Sequence, residues 1–222
     1  MTEMTIGSAG DKHSGTDIRY RAQRLTHFIA LADQCLAIKS ECRVLDLGGN
    51  TRYWRDLAPV WQGRNLTFTL VNKVPETETS ATFTSILGDA RDLPQFGDSS
   101  FDIVHSNSVL EHVGRWADMR AMAREVRRLA PHYFVQTPYY WFPLEPHFRV
   151  PFFNWLPEPV RLSLVRWRGC GAFPRAETVD DAVRFIEDSN LLDETRFRAL
   201  FPDAQIRRER VYGLTKSLMA VR

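Results

Sequence analysis

Two histidines and a series of glycine, carboxylate and amide positions are the groups in this chain best suited to chemistry. His147 lies in the run Tyr139-Tyr140-Trp141-Phe142-Pro143-Leu144-Glu145-Pro146-His147-Phe148. An imidazole titrates near neutral pH and can take a proton from an acceptor hydroxyl or similar group. The alternative is a loop imidazole packed on Pro146 and Phe148. His112 is a second candidate base, or else a structural histidine paired with a backbone carbonyl. Tyr139, Tyr140 and Trp141 can wall an acceptor pocket, or they can fill a core beneath a long loop.

Earlier in the chain, Val44-Leu45-Asp46-Leu47-Gly48-Gly49-Asn50-Thr51 sets an acid and two glycines before a helix start. Glycines let the backbone approach a ligand, and the free N–H groups of a helix start suit a carboxylate. The same run also reads as a structural turn. Asn72 can hydrogen-bond ribose hydroxyls at a position where dinucleotide-type folds place an acid, or it can serve as a turn residue. Asp89, in Gly88-Asp89-Ala90, can accept from an adenine amino group or cap a turn.

These positions need elements to carry them. Ile18, Ala22, Leu25, Ile29, Ala32 and Leu36 recur at spacings of three and four, which predicts a helix over residues 17–36. Strands are expected at 43–47, 66–71, 83–87, 101–105 and 133–135, with two more near 206–211 and 217–221. Met119, Met122, Val126 and Leu129 mark a helix that ends near Pro131. Strands alternating with helices or loops argue for an α/β protein with a mostly parallel sheet and helices on both faces. Ligands of such sheets bind beyond the carboxyl ends of the strands, which is where the candidate residues fall. Residues 138–174, rich in aromatics and proline, read as an insertion after the fifth strand. Thr178 with Asp181 resembles a capping box, and Asp193 is a further helix cap. Residues 1–15 read as a loose tail and 16–222 as one domain.

Composition narrows the function. A chain of 222 residues with 44% hydrophobic and 25% charged residues fits one soluble domain. The formal net charge is only +2, with arginines scattered, which argues against a nucleic-acid partner. No stretch approaches the length of a membrane span. Three cysteines without ligand spacing give no metal motif and no disulfide framework. A cytoplasmic protein without a metal is the expectation. A nicotinamide enzyme would want G-x-G-x-x-G after the first strand, and Gly48-Gly49-Asn50-Thr51-Arg52-Tyr53 lacks it.

Taken in series, the motifs resemble the class I methyltransferases that use S-adenosylmethionine (SAM), in particular the type 11 branch. Asp46-Leu47-Gly48-Gly49 is similar to the glycine-rich first motif. Asp89 is similar to the adenine-side acid. Phe101-Asp102-Ile103-Val104, followed by Ser106-Asn107-Ser108-Val109-Leu110-Glu111-His112, is similar to the fourth-strand motif. The resemblance implies a Rossmann-like fold and SAM as cofactor. It implies a SAM site at Asp46, Gly48, Gly49, Asn50, Asn72, Asp89, Ala90, Ser106 and Asn107. It also implies in-line transfer of a methyl group to a small-molecule, glycan or lipid-linked acceptor, with no metal required. Two positions depart from the pattern: the third glycine of the first motif is missing, and Asn72 stands where an acid is usual. These departures keep a second reading open, a non-catalytic SAM-binding or interaction module on the same scaffold.

Overall fold

In the computed structural model the described residues are 15–77 and 80–222. The loose tail expected at residues 1–15 lies, Gly15 apart, outside them. The chain runs α1 (Gly15–Leu36), β1 (Cys42–Leu47), α2 (Thr51–Asp56), α3 (Ala58–Trp61), β2 (Leu66–Asn72), β3 (Phe83–Leu87) and β4 (Ile103–Asn107). It continues through a 3-10 turn (Leu110–His112) to α4 (Trp116–Leu129), β5 (His132–Pro138), α5 (Glu158–Trp167), α6 (Val179–Glu187), α7 (Glu194–Leu200), β6 (Gln205–Val211) and β7 (Leu214–Val221).

The strands form one seven-stranded sheet in the order β3-β2-β1-β4-β5-β7-β6. The first five are parallel, and β7 is antiparallel to both β5 and β6. Strand order reverses between β1 and β4, so the ligand crevice of this topology opens beyond their carboxyl ends.

Alternation along the strands sends side chains to two separate cores. Val44, Phe68, Ile103 and Phe134 pack with Leu25, Phe28 and Ala32 of α1 and with Trp54 and Trp61. Leu45, Val104 and Val135 pack on the other face with Met119, Met122 and Val126 of α4 and Phe197 and Leu200 of α7. Each fully buried Leu or Phe contributes roughly 1.5–3 kcal/mol, so both faces hold the sheet and the strand ends are set by rigid layers.

The fourth strand begins two residues later than the sequence suggests and reaches Asn107. Asp102 is diverted to the opposite edge: its carboxylate accepts from the Arg43 amide at 2.7 Å and from the Lys39 ammonium. Burial opposes ionisation of Asp102, but the Lys39 ammonium and the Arg43 N–H outweigh it and hold the acid below the ordinary carboxylate range. That stabilisation is complete above the unfolded-state value of about 3.9 and is lost as pH falls through the lower native value. Asp102→Asn should therefore lower stability at pH 7 and flatten the acid limb of a denaturant-midpoint profile. Parallel acid limbs in the two proteins would refute this.

The insertion has its own small core. Phe148, Phe153, Val165, Cys170 and Phe173 pack with Ala176, Ala182 and Phe185, so the excursion does not close at residue 174 but takes in α6. It returns to the sheet where it left, with Tyr139 bridged to Leu192. The expected caps are present: Thr178 and Asp181 form the capping box of α6, and Asp193 accepts from the Arg196 amide at 2.9 Å to start α7.

Candidate active site

The carboxyl ends of β1, β2 and β3 are tied together by short backbone and amide bonds. Gly48 N–H donates to the Val71 carbonyl at 2.8 Å, and Gly88 N–H to the Asn72 carbonyl at 3.0 Å. Asn72 Nδ2 donates to the Gly49 carbonyl at 2.6 Å. A carboxylate at position 72 could not make that last bond, because both it and the carbonyl are acceptors. The amide thus braces the glycine loop and keeps Oδ1, which has no partner among the described residues, as an acceptor.

Asp46 lies beneath the loop and is fully buried. One of its oxygens accepts from Trp54 Nε1 and the other meets His105 Nδ1, each at 2.7 Å. The two glycines serve this arrangement. A Cβ on Gly49 would overlap the Asp46 carboxylate. Gly48 has φ +77°, and a Cβ there would stand 2.5 Å from Val109 Cγ2. The loop is therefore packed against the turn that follows β4. Ser106 is likewise fully buried, donating to the Leu47 carbonyl at 3.2 Å. Asn50 accepts from Tyr53 N–H at 2.8 Å and caps α2.

Two partners here had no sequence signal. The Thr51 amide, at the start of α2, donates to Glu76 at 3.0 Å, so a side chain of this chain takes the place expected for a ligand carboxylate. Arg91 grips both oxygens of Asp89 and also reaches Asp118 at 2.9 Å. The Arg91 hydrogen bonds hold the Asp89 carboxyl below its usual range, outweighing its partial burial. Asp89 also accepts from the Arg91 backbone at 3.0 Å, which is the turn-capping role. Ala90 follows it on the half-buried face of the same loop. Asn107, the last residue of β4, has a buried Oδ1 with no hydrogen-bond partner.

Five residues beyond β4, the chain reaches the first of the two histidines. Ser108 adopts φ +55°, a left-handed conformation that costs a non-glycine residue of order 1–3 kcal/mol. Its amide donates to the Gln136 carbonyl and its hydroxyl to Gln136 Oε1, at 3.1 and 2.9 Å. That bend turns Glu111 and His112 toward the loop after β5, where His147 sits. His112 Nε2 and His147 Nε2 are 3.1 Å apart, with the rings edge to face. His112 Nδ1 is 2.8 Å from the Asp188 carbonyl, and His147 Nδ1 is 2.7 Å from Glu145 Oε1. Burial disfavours the His112 cation, but the Asp188 side chain and the Glu111 charge outweigh it and raise the His112 pKa to about 9.

Glu145 is almost completely buried. Its second oxygen accepts from the Phe148 amide, so the imidazole it orients is fixed to the insertion's core. Sequence reading singled out the two histidines separately. The structure brings them together and adds Glu111, Glu145, Asp188 and Ser189. The aromatic run divides: Tyr139 packs on the sheet core, the Tyr140 hydroxyl donates to the Asn154 carbonyl at 2.8 Å, and Trp141 is exposed beside Trp155.

The sheet order and the parallel strands β1 to β5 define a Rossmann-like α/β fold. Residues 45–131 match the family model described as a methyltransferase domain, type 11. That match spans less than half of the chain. No curated protein matches the chain. Among solved structures, a possible exported protein from Bordetella parapertussis is 14% identical, with a TM-score of 0.55 over 93% of this chain and 67% of that one. Magnesium protoporphyrin IX methyltransferase from Synechocystis PCC 6803 is 15% identical, with a TM-score of 0.48 over 97% and 90%. A candidate sarcosine dimethylglycine methyltransferase from Galdieria sulphuraria is 15% identical, with a TM-score of 0.42. That alignment covers 53% of this chain and 45% of the other. At these identities the likeness concerns the fold. Among the described residues no helix is long and apolar enough to cross a membrane.

Proposed function

We propose that this protein transfers a methyl group from SAM to a small-molecule, glycan or lipid-linked acceptor held against the His112–His147 pair. The observation that carries this reading is the meeting of the two imidazoles at the carboxyl edge of β4 and β5, beside the strand ends that face a Rossmann-type crevice.

The residues at those strand ends fit the cofactor. The orphaned, buried Oδ1 of Asn107 is an acceptor lacking a donor, which an ammonium supplies. Asn72 Oδ1 suits ribose hydroxyls. Asp89, ionised and half-exposed, retains lone pairs for an amino group beyond those given to Arg91. Bound there, SAM supplies a methyl group on a sulfonium sulfur. The chain then has two tasks. It must hold the acceptor in line, which can account for much of the acceleration, and it must handle the acceptor's proton. His147 is arranged for the second task. Glu145 accepts from its Nδ1, which leaves the lone pair at Nε2. Trp141, Tyr140 and the insertion around them wall off the acceptor side.

Titration calorimetry with SAM tests the cofactor half directly. Asp89→Ala and Asn72→Ala should each weaken binding by about 1–3 kcal/mol, the cost of leaving a partner unpaired, while the fold persists. Wild-type affinity in both variants would assign these residues to the turn alone. A protein that binds SAM but transfers no methyl group to any fraction of a cell extract would favour the non-catalytic module.

A further inference from the structure

We propose that Glu111, His112 and His147 form a binding site for one divalent transition-metal ion of the zinc class. One donor atom from each residue lies within 4.8 Å of the other two. Ligand bonds of about 2.0–2.1 Å at tetrahedral angles place two nitrogens about 3.4 Å apart, and the two Nε2 atoms stand at 3.1 Å.

The second argument comes from what holds the rings. Metal-bound imidazoles typically donate their other N–H to a carbonyl or carboxylate, which fixes the tautomer and directs the free lone pair at the ion. Both histidines have that partner: the Asp188 carbonyl for His112, and Glu145 for His147, with Ser189 Oγ a further 3.1 Å neighbour. Each ring thus presents Nε2 to the other. Without an ion the 3.1 Å contact is a hydrogen bond between the two nitrogens, and an ion of this class would take the place of the shared hydrogen.

Glu111 supplies the third, independent observation. It is fully buried, Oε2 accepts from the Thr137 hydroxyl at 2.9 Å, and Oε1 has no partner at all. A buried carboxylate oxygen without a donor is costly, and a metal ion beside two imidazoles removes that cost. Two nitrogens and one carboxylate oxygen suit zinc-class ions better than magnesium or calcium, which prefer oxygen throughout. Partial exposure of His112 leaves the outer side of the ion open. Cys35, Cys42 and Asp102 also cluster, but with a different character. Asp102 is already bonded to Lys39 and Arg43, and burial followed by the neighbouring Cys35 pushes the Cys42 thiol far above its usual range, so it stays protonated.

The inference rests on the acceptor-side reading and alters it: a bound ion would take the His147 Nε2 lone pair, so the ion, in place of the ring, would meet the acceptor. Its ligands are separate from the proposed SAM contacts, so the two can fail independently. The test is calorimetric titration of the full-length, chelator-treated protein with Zn²⁺, together with Co²⁺ absorption spectra. One-to-one binding is expected, with Co²⁺ bands of a nitrogen–oxygen site and no sulfur charge-transfer band. Glu111→Gln and His147→Gln, chosen to keep side-chain volume, should weaken the ion by more than the 10–100-fold typical of losing an orienting partner. Glu145→Gln should fall within that range, and circular dichroism should show all three folded. No saturable binding, a thiolate-type Co²⁺ spectrum, or equal affinity in the Glu111 and His147 variants would overturn the proposal. SAM binding without metal binding would overturn it and leave the methyltransferase reading standing. Metal binding without SAM binding would do the reverse.

Discussion

A His147→Ala variant is expected to turn over about 10²–10⁴ times more slowly than the parent protein, the usual worth of a positioned proton acceptor, with SAM affinity nearly unchanged. The expectation follows from where Nε2 points and what fixes it. Glu145 is buried, holds Nδ1 at 2.7 Å and is itself bonded to the Phe148 amide. The ring is therefore oriented by the insertion's core rather than by solvent. His112 approaches Nε2 from the other side. Proton acceptance and ion binding both run through that atom, so its loss is felt in either case. The proposed SAM contacts lie at the ends of β1 to β4, away from the loop after β5, which is why affinity should survive. The measurement is transfer of labelled methyl to an acceptor first found by screening cell extracts with labelled SAM. Saturating-substrate turnover is compared with the dissociation constant from calorimetry. Full turnover in the variant would remove His147 from the reaction. A parallel loss of SAM affinity would mean that the loop supports the cofactor instead.

The parallel sheet could be read from alternating strands and from the glycine turn after β1, because those patterns are local. So could the caps at Thr178 and Asp193, whose partners lie three residues away. The His112–His147 meeting could not. The two lie 35 residues apart in sequence and are joined only because β4 and β5 are adjacent parallel strands whose following turns bend toward each other. The same separation hid the carboxylate–histidine grouping with Glu111, since metal-type spacing in sequence looks only along one segment. Signals existed in hindsight: Glu145 stands two residues before His147, and Glu111 is an acid in an otherwise apolar turn.

Asp46 shows a different limit. An acid at the end of a buried strand can point up to a ligand or sideways into the protein, and the type of residue does not distinguish them. What decides is the company: the β1–β4 register sets Asp46 opposite His105, and α2 brings the Trp54 indole over it. Ser106, one position on, is turned to the Leu47 carbonyl by the same register. Glu76 and Arg91 fill polar positions at the strand ends from loops without periodicity, where sequence pattern carries no direction.

Gly49→Ala should remove much of the protein's stability, roughly 2–5 kcal/mol, the combined cost of overpacking a buried site and unpairing buried hydrogen-bonding groups. For a domain whose total is about 5–15 kcal/mol, that is a large fraction. A methyl group at this position occupies the space of the Asp46 carboxylate. The carboxylate cannot yield cheaply, because it is fully buried and bonded at 2.7 Å to both Trp54 Nε1 and His105 Nδ1. His105 in turn stacks on Phe134 at 5.4 Å and meets Phe28 edge-on, so displacement spreads through the core beneath α1. Gly48→Ala is the informative comparison. It meets a left-handed φ and the tip of Val109 rather than a buried, hydrogen-bonded side chain, so its smaller penalty should shift the turn leading to His112. Denaturant unfolding without SAM makes the distinction. If these glycines existed chiefly to let a ligand approach, Gly49→Ala would unfold at the wild-type midpoint and lose only SAM affinity. A midpoint far below wild type, with Gly48→Ala between the two, assigns Gly49 to the buried carboxylate on which the site is built.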